Sequence, residues 1–253
     1  TVFIADFNNH TGNPVFDRAL EPVVKLALEG AAFISAYDRR QASALGLAPI
    51  SGALDETAAR KIAVGQGLGV VVSGSLDRKG EGYVLSIKAS QAVTGDAIRS
   101  VEETASNKDQ VLFAAAKLAA AVRTALGDET SESTQRFAME TLTATSLEAV
   151  GEYATAMEAL SNGRHADALK SFSNAVDVDP NFGLAYAGMA VASRNLQQQQ
   201  DAEKYINLAL QRIDRMTDRE KYRTRGYSYS LRGNAQKCVE EYSTLVNLFP
   251  SDV

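Results

Sequence analysis

Apolar and polar residues follow two different periods along the chain, one in each half. The first half mixes strand and helix patterns. "TVFIADF" is a short, nearly unbroken apolar run of the kind that forms a buried strand. "PVFDRALEPVVKLALEGA" sets Phe16, Leu20, Val23, Val24, Ala27 and Leu28 at helical spacing, and Pro22 inside it implies a kink or a late start. "AFISAYD" reads as a second short strand. "DETAARKIAVGQGLG" reads as a helix with Asp55 as N-cap and Gly67 or Gly69 past its end. "VVVSGSLDRKGEGYVLSIKAS" is a hairpin, two β-rich runs around a charged, glycine-bearing turn. "TGDAIRSVEETA" adds a further strand through Thr94-Gly95-Asp96. "NKDQVLFAAAKLAAAVRTALG" is a helix that begins near Asn107 and closes at Gly127. This order predicts an α/β domain over residues 1–127, a mixed sheet with helices packed on it.

The polar, Ser/Thr-rich stretch "DETSESTQRFAMETLTAT", residues 128–145, reads as a linker. Beyond it the pattern is helical and it repeats. Ala168, Ala202 and Cys238 fall in register, as do Phe172, Ile206 and Tyr242, and then Ala175, Ala209 and Leu245. Ala168 to Ala202 is 34 residues and Ala202 to Cys238 is 36. A period near 34 built from helix–turn–helix units is the signature of tetratricopeptide repeats. Small residues let paired helices approach, and large ones fill the gaps. Residues 146–253 are therefore expected to form an all-α solenoid with units near 149–182, 183–218 and 219–252. The middle copy is degenerate, with "QQQQ" in its turn.

Repeat register places Tyr153 and Met157 on the first inner helix, Ala187, Val191 and Arg194 on the second, and Arg223 and Tyr227 on the third. These would line a groove that is apolar with two arginines. The Lys/Asn/Arg pattern that grips a peptide C-terminus is absent, so an extended or helical protein segment with apolar anchors is the expected partner. The same residues could instead be core against the α/β domain or against further repeats.

Composition narrows the classes. Among 253 residues, 45% are hydrophobic and 23% charged, enough for a packed core. The net charge of -5 argues against a nucleic-acid partner. Cys238 is the single cysteine, so no intramolecular disulfide can form. No apolar run approaches the roughly 20 residues that span a bilayer. The chain enters a strand-like segment at Thr1 and stops at "FPSDV", as a piece of a longer protein would. A membrane would then be reached only through an anchor outside this piece.

Candidate chemistry is sparse. "GQGLG" follows a helix and precedes a strand, the reverse of a dinucleotide fingerprint, and reads as a helix end. His10 and His165 are the only histidines and lie in different halves, so no metal site is expected. Glu102 and Glu103 are adjacent on a strand and point to opposite faces. Asp6 either faces a cleft or caps the following loop. Asn9-His10-Thr11 fits a glycosylation sequon, a triplet common by chance. "FNNHTGNP" could cradle a phosphate or merely turn the chain from strand to helix. Its single glycine and lack of lysine favour the turn. A small-molecule site near Asp6, Asn8 and Ser73 to Ser75 is the alternative to a protein-binding role. No catalytic constellation and no cofactor are expected.

The first half resembles the TolB N-terminal-like α/β domain of bacterial membrane-associated signalling proteins. "FNNHTGNPVFDRAL", "ARKIAVGQGLGVVVSGSLDRKGEGYVLSIKA" and "TGD" carry the likeness. Asn13 stands where the family's Asn-x-Thr/Ser-Gly-Asp-Pro loop has its aspartate. With "SLEAVGEYATAMEAL" and the repeats behind it, the chain is similar to the C-terminal regions of predicted serine/threonine protein kinases of soil bacteria such as acidobacteria. The strongest local match is "REKYRTRGYSYSLRGNAQKCVEEYSTLVNLFPSDV". The resemblance implies a regulatory region following a kinase or other output domain and a membrane helix. That output domain is itself a possible partner. It also implies an extracytoplasmic location, with the cytoplasm as alternative. No HRD-type loop or DFG occurs in this chain.

Overall fold

The computed structural model describes residues 1–17, 19–37, 54–129 and 146–250. The chain divides into two compact units, Thr1–Thr143 and Ala144–Val253. Beyond Glu129, the expected linker lies outside the described residues.

In the first unit, β1 (Val2–Asn9) is followed by one turn of 3-10 helix (Pro14–Phe16) and by α1 (Leu20–Leu28). The late start is the outcome at Pro22. It is the third residue of α1, where its missing N–H has no intrahelical acceptor to lose. Phe16 therefore leaves the helical stripe and packs edge-on to Tyr83, ring centres 5.0 Å apart. Leu20, Val23, Val24, Ala27 and Leu28 keep the buried face.

"AFISAYD" is not a strand. Among the described residues it contributes one parallel bridge, Ala36 beside Val2. Val2 donates to the Ser35 carbonyl and Tyr37 to the Val2 carbonyl, each at 2.8 Å. The Ala36 amide goes to the Glu29 carboxylate instead of to a further strand.

Four more elements complete the unit. They are α2 (Glu56–Gly65), β2 (Val70–Lys79), β3 (Gly82–Gln91) and β4 (Ala97–Ala105). A 3-10 turn (Lys108–Gln110) then leads into α3 (Val111–Ala125). Asp55 caps α2 by accepting from the Ala58 N–H at 2.8 Å. Gly67 (φ 68°), Gly80 (φ 61°), Gly95 (φ 81°) and Gly127 (φ 101°) hold the left-handed turns between elements. The sheet order is β1-β2-β3-β4, with β1 and β2 parallel and the rest antiparallel.

Alternation gives this sheet two unlike faces. Val72, Leu76, Leu85, Ile87 and Ala89 are fully buried on one face, which α1 and α3 cover. On the other face α2 covers only one end. There Phe3, Ala5 and Val71 meet Leu54, Ala59, Ile62 and Ala63. The rest of that face is mostly polar.

A buried arginine, ion-paired at the end of α3, ties that helix to α1. The Arg123 guanidinium donates to Asp128 (Nε to Oδ2, 2.7 Å) and to the Ala27 carbonyl (3.0 Å). Both side chains are about 4% exposed. A Cβ at Gly30 would strike Arg123, so only glycine leaves the guanidinium its passage.

The second unit holds α4 (Leu147–Ser161), α5 (His165–Val178), α6 (Gly183–Asn195), α7 (Gln199–Leu210), α8 (Asp218–Leu231) and α9 (Ala235–Leu248). Each helix packs on the next. Ser146 caps α4, and Thr217 with Glu220 forms a capping box on α8. The in-register small and large residues are buried in the first two pairs: Ala168 and Ala202, Phe172 and Ile206, Ala175 and Ala209. In the third pair Cys238 and Tyr242 are half-buried and Leu245 is buried. Glycine permits the close approaches. A Cβ at Gly188 would strike the Phe172 ring, and one at Gly226 would come within 2.9 Å of the Tyr242 ring.

The tight turns within the pairs share a left-handed residue, Gly163 (φ 70°) in the first and Gly233 (φ 69°) in the third. In the middle pair Gln197 takes this place at φ 63°. A side chain there is strained. The expected outcome of Gln197→Gly is a stabilisation of about 1 kcal/mol, read by urea unfolding. A loss of stability would show that the Gln197 side chain matters more than its backbone.

Candidate functional site

The polar part of the open sheet face forms a cleft of about 260 Å³. Alternation puts Ser73 and Ser75 of β2 on this face, paired across the ladder with Lys88 and Ser86 of β3. Ser100 of β4 pairs with Lys88. Asp6 and Asn8 of β1 and Glu56, at the start of α2, complete the lining. All four cleft residues expected from sequence, Asp6, Asn8, Ser73 and Ser75, are thus brought together. Glu56, Ser86, Lys88 and Ser100 were not anticipated. Their signal is the alternation of small polar with apolar residues in "VVSGSL" and "VLSIKA", which marks one face as polar but names no partner across it.

Glu56 organises the cleft. Its carboxylate accepts from Lys88 Nζ (2.8 Å), Ser73 Oγ (3.0 Å) and Ser90 Oγ (3.3 Å). Partial burial pushes its pKa upward, but the hydrogen bonds and the Lys88 charge outweigh that and hold it below the ordinary 4.5. Asp6 reaches the start of α2. Its Oδ2 accepts from the Leu54 N–H at 2.6 Å, fixing the entry to α2. Ser75 Oγ lies 2.9 Å from Ser86 Oγ and 3.0 Å from Asp77 Oδ2.

The "FNNHTGNP" loop satisfies itself. Asn9 accepts from the Thr11 N–H and hydroxyl and donates to the Asn13 carbonyl and to Asp17. Asn13 accepts from the Val15 N–H and so caps the 3-10 turn. Gly12 supplies the left-handed corner at φ 74°. The loop is a strand-to-helix turn. His10 reaches back 2.8 Å to Asp77, which Ser75 also meets. This trio has the carboxylate in the middle. The imidazole is not placed to take the Ser75 proton, as a nucleophilic triad requires. Hydroxyls, two carboxylates and one ammonium suit the cleft to hydrogen-bonding a small polar molecule.

"GQGLG" closes α2 and leads into β2, with the Leu68 N–H returning to the Ala63 carbonyl. His165 opens α5 and lies 3.5 Å from Asn195. Cys238 is half-buried. Among the described residues no cluster of three or more metal-ligating side chains occurs. No described helix is long and apolar enough to cross a membrane.

In the helical unit the expected groove residues separate into two groups. Tyr153 packs against Phe172 (5.7 Å) and Phe182 (5.0 Å), and Met157 joins the same apolar cluster. Farther along, Arg223 and Tyr227 stand one turn apart on α8, and Tyr227 packs against the cluster of Ala190, Ile206, Ala209 and Met216. Burial raises the Tyr227 pKa, Arg194 opposes the rise, and Tyr242 adds to it. Burial likewise raises Tyr242, Cys238 adds to it, and Arg223 opposes it. Val191 is half-buried, and Arg194 is exposed with a hydrogen bond to Gln199 at 3.0 Å. Tyr242 was visible in sequence only as a packing position.

No family model and no curated protein matches the chain. Among solved structures it is similar to the LpoB C-terminal domain from Salmonella enterica, at 19% identity and TM-score 0.36. That likeness covers 41% of this chain and 80% of that one. It is also similar to PelC from Paraburkholderia phytofirmans, solved as a dodecamer, at 18% identity and TM-score 0.35, over 50% of this chain and 87% of that one.

The depressed Glu56 pKa fixes a sign. Its contribution to stability is present above about pH 4.5 and is lost as the pH falls through the lower folded value. Glu56→Gln is therefore expected to lower the melting temperature at pH 7, with the difference from wild type vanishing in acid. A difference that persists unchanged into acid would contradict this role.

Proposed function

We propose that the chain is a non-catalytic interaction region whose helical unit is a tetratricopeptide-type array that binds a protein segment. The observation that supports this best is the half-buried Tyr227 of α8, with Arg194 of α6 near enough to oppose the rise in its pKa and Arg223 of α8 acting likewise on Tyr242. Half-buried aromatic rings rimmed by arginine are typical anchors at protein interfaces. Tyr153 and Met157 are committed to the apolar cluster with Phe172, so they shape the groove more than they grip. The segment bound would be extended or helical, with apolar anchors and an acidic group for the arginines. The resemblance to kinase C-terminal regions supports a place in the regulatory part of a bacterial signalling chain. Its output domain would then lie elsewhere in that chain.

A peptide array probed with the full chain tests this reading. Segments of apolar and acidic residues should bind, and Tyr227→Ala and Arg194→Glu should each weaken binding at least tenfold. Binding that ignores both substitutions, or no binding at all, would overturn it.

The sheet cleft supports a second reading, a sensor for a small polar molecule. Asp6 and Glu56 against the single Lys88 favour an uncharged polyol or a cationic amine over an anion. Polyols or amines should raise the melting temperature, and Ser73→Ala with Ser86→Ala should abolish the rise. Stabilisation by anions alone would contradict this chemistry.

A further inference from the structure

We propose that β4 is a self-pairing edge, and that two copies of this chain join through it into one continuous antiparallel sheet. The first observation is hydrogen-bond parity. Lys79 and Gly82 flank a two-residue turn with Gly80 at φ 61°, so they form a hydrogen-bonded pair. Pairs alternate from there, and even-numbered residues of β3 point their amides and carbonyls at β2. Ala92 donating to Gly69 fits this parity, and Gln91 donating to Asp96 fits the opposite one. Odd residues of β3 thus serve β4, and through Leu85–Glu103, Ile87–Val101 and Ala89–Arg99 they occupy the odd residues of β4. The amides and carbonyls of Ser100, Glu102 and Thr104 are left aimed outward. All three residues are exposed.

The second observation is the order of charges. An open edge accepts another strand unless charge or a bulge prevents it. The one irregularity lies where Ala89 pairs with Arg99 but Ser90 with Ala97, so Arg99–Ala105 stays regular. Parity allows antiparallel self-pairing only in registers two residues apart. With Val101 on the two-fold axis, Arg99 of each copy stands opposite Glu103 of the other, twice, and Ser100 stands opposite Glu102. Shifted one way, Glu102 meets the Glu102 of the second copy. Shifted the other way, Arg99 meets Val101. Opposite charges across a ladder stabilise and like charges destabilise, so the charges select one register. Glu103 faces α3, where Lys117 meets it at 2.7 Å. Phe113, about half exposed, lies one turn from Lys117 on the same helix and would gain cover. The occupant is a second copy because this edge is complementary to itself and repels a strand of unmatched charge.

Sedimentation equilibrium of the full chain tests this. The mass should rise reversibly with concentration from 27.1 kDa toward twice that value. Ser100→Pro removes an N–H that does not serve β3, which an edge strand tolerates. It should weaken the dimer at least tenfold while the circular dichroism stays unchanged. Arg99→Glu and Glu103→Arg should each abolish the homodimer by setting like charges opposite. An equal mixture of the two variants should dimerise, because each then meets its complement. A wild-type chain that stays monomeric would overturn the proposal. So would a dimer indifferent to Ser100→Pro, or variants whose mixture stays monomeric.

Discussion

A strand shows alternate residues to opposite sides, and in the first unit this constraint governs everything else. β2 and β3 are long enough to carry two programmes at once. Val72, Leu76, Leu85, Ile87 and Ala89 are spent on the face that α1 and α3 cover, and each is fully buried. The residues between them are therefore released from packing. On that side α2 covers only the end near Phe3 and Val71, and a serine-rich surface with Lys88 remains. The cleft is what period two leaves over once the core is satisfied. Gly74 shows how tightly the packed side is set, since a Cβ there would strike the Phe7 ring and come within 2.6 Å of the Ser86 carbonyl.

In the helical unit the governing quantity is how near two helices can come. Alanine and glycine at recurring positions admit the rings of Phe172 and Tyr242. The same economy decides how each aromatic ring is packed. Phe172 and Phe182 take up the ring of Tyr153, whereas Tyr227 packs beside Ala190, Ile206, Ala209 and Met216, within reach of the Arg194 charge. The difference lies in which neighbours the helices supply, not in the register of the residues themselves.

Local signals were legible in the sequence. Asp55 as a cap, Gly80 and Gly95 as turns, and the β2–β3 hairpin depend on residues close in the chain, and each appears as read. Signals that need a distant partner were not. "AFISAYD" has strand composition, but only its pairing shows that it makes one bridge. Pro22 left two outcomes open, and the packing of Phe16 on Tyr83 accompanies the late start. Glu56 and Lys88 stand 32 residues apart, and only the register of β2 against β3 brings the lysine to the helix start. Alternation puts Asp6 with Asn8 on β1 and Ser73 with Ser75 on β2, and the parallel register of the two strands joins the pairs. The Glu56 hub stayed hidden because a helix N-terminus carries no sign of which strand it faces.

The account turns on the alternation of the sheet, and residue-resolved amide exchange of β4 in dilute protein reads it directly. The amides of Arg99, Val101 and Glu103, bonded to β3, should exchange slowly. Those of Ser100, Glu102 and Thr104 should exchange rapidly, giving a period-two pattern along one strand. Uniform protection along β4, or protection of the opposite set, would contradict both the register of the sheet and the free edge.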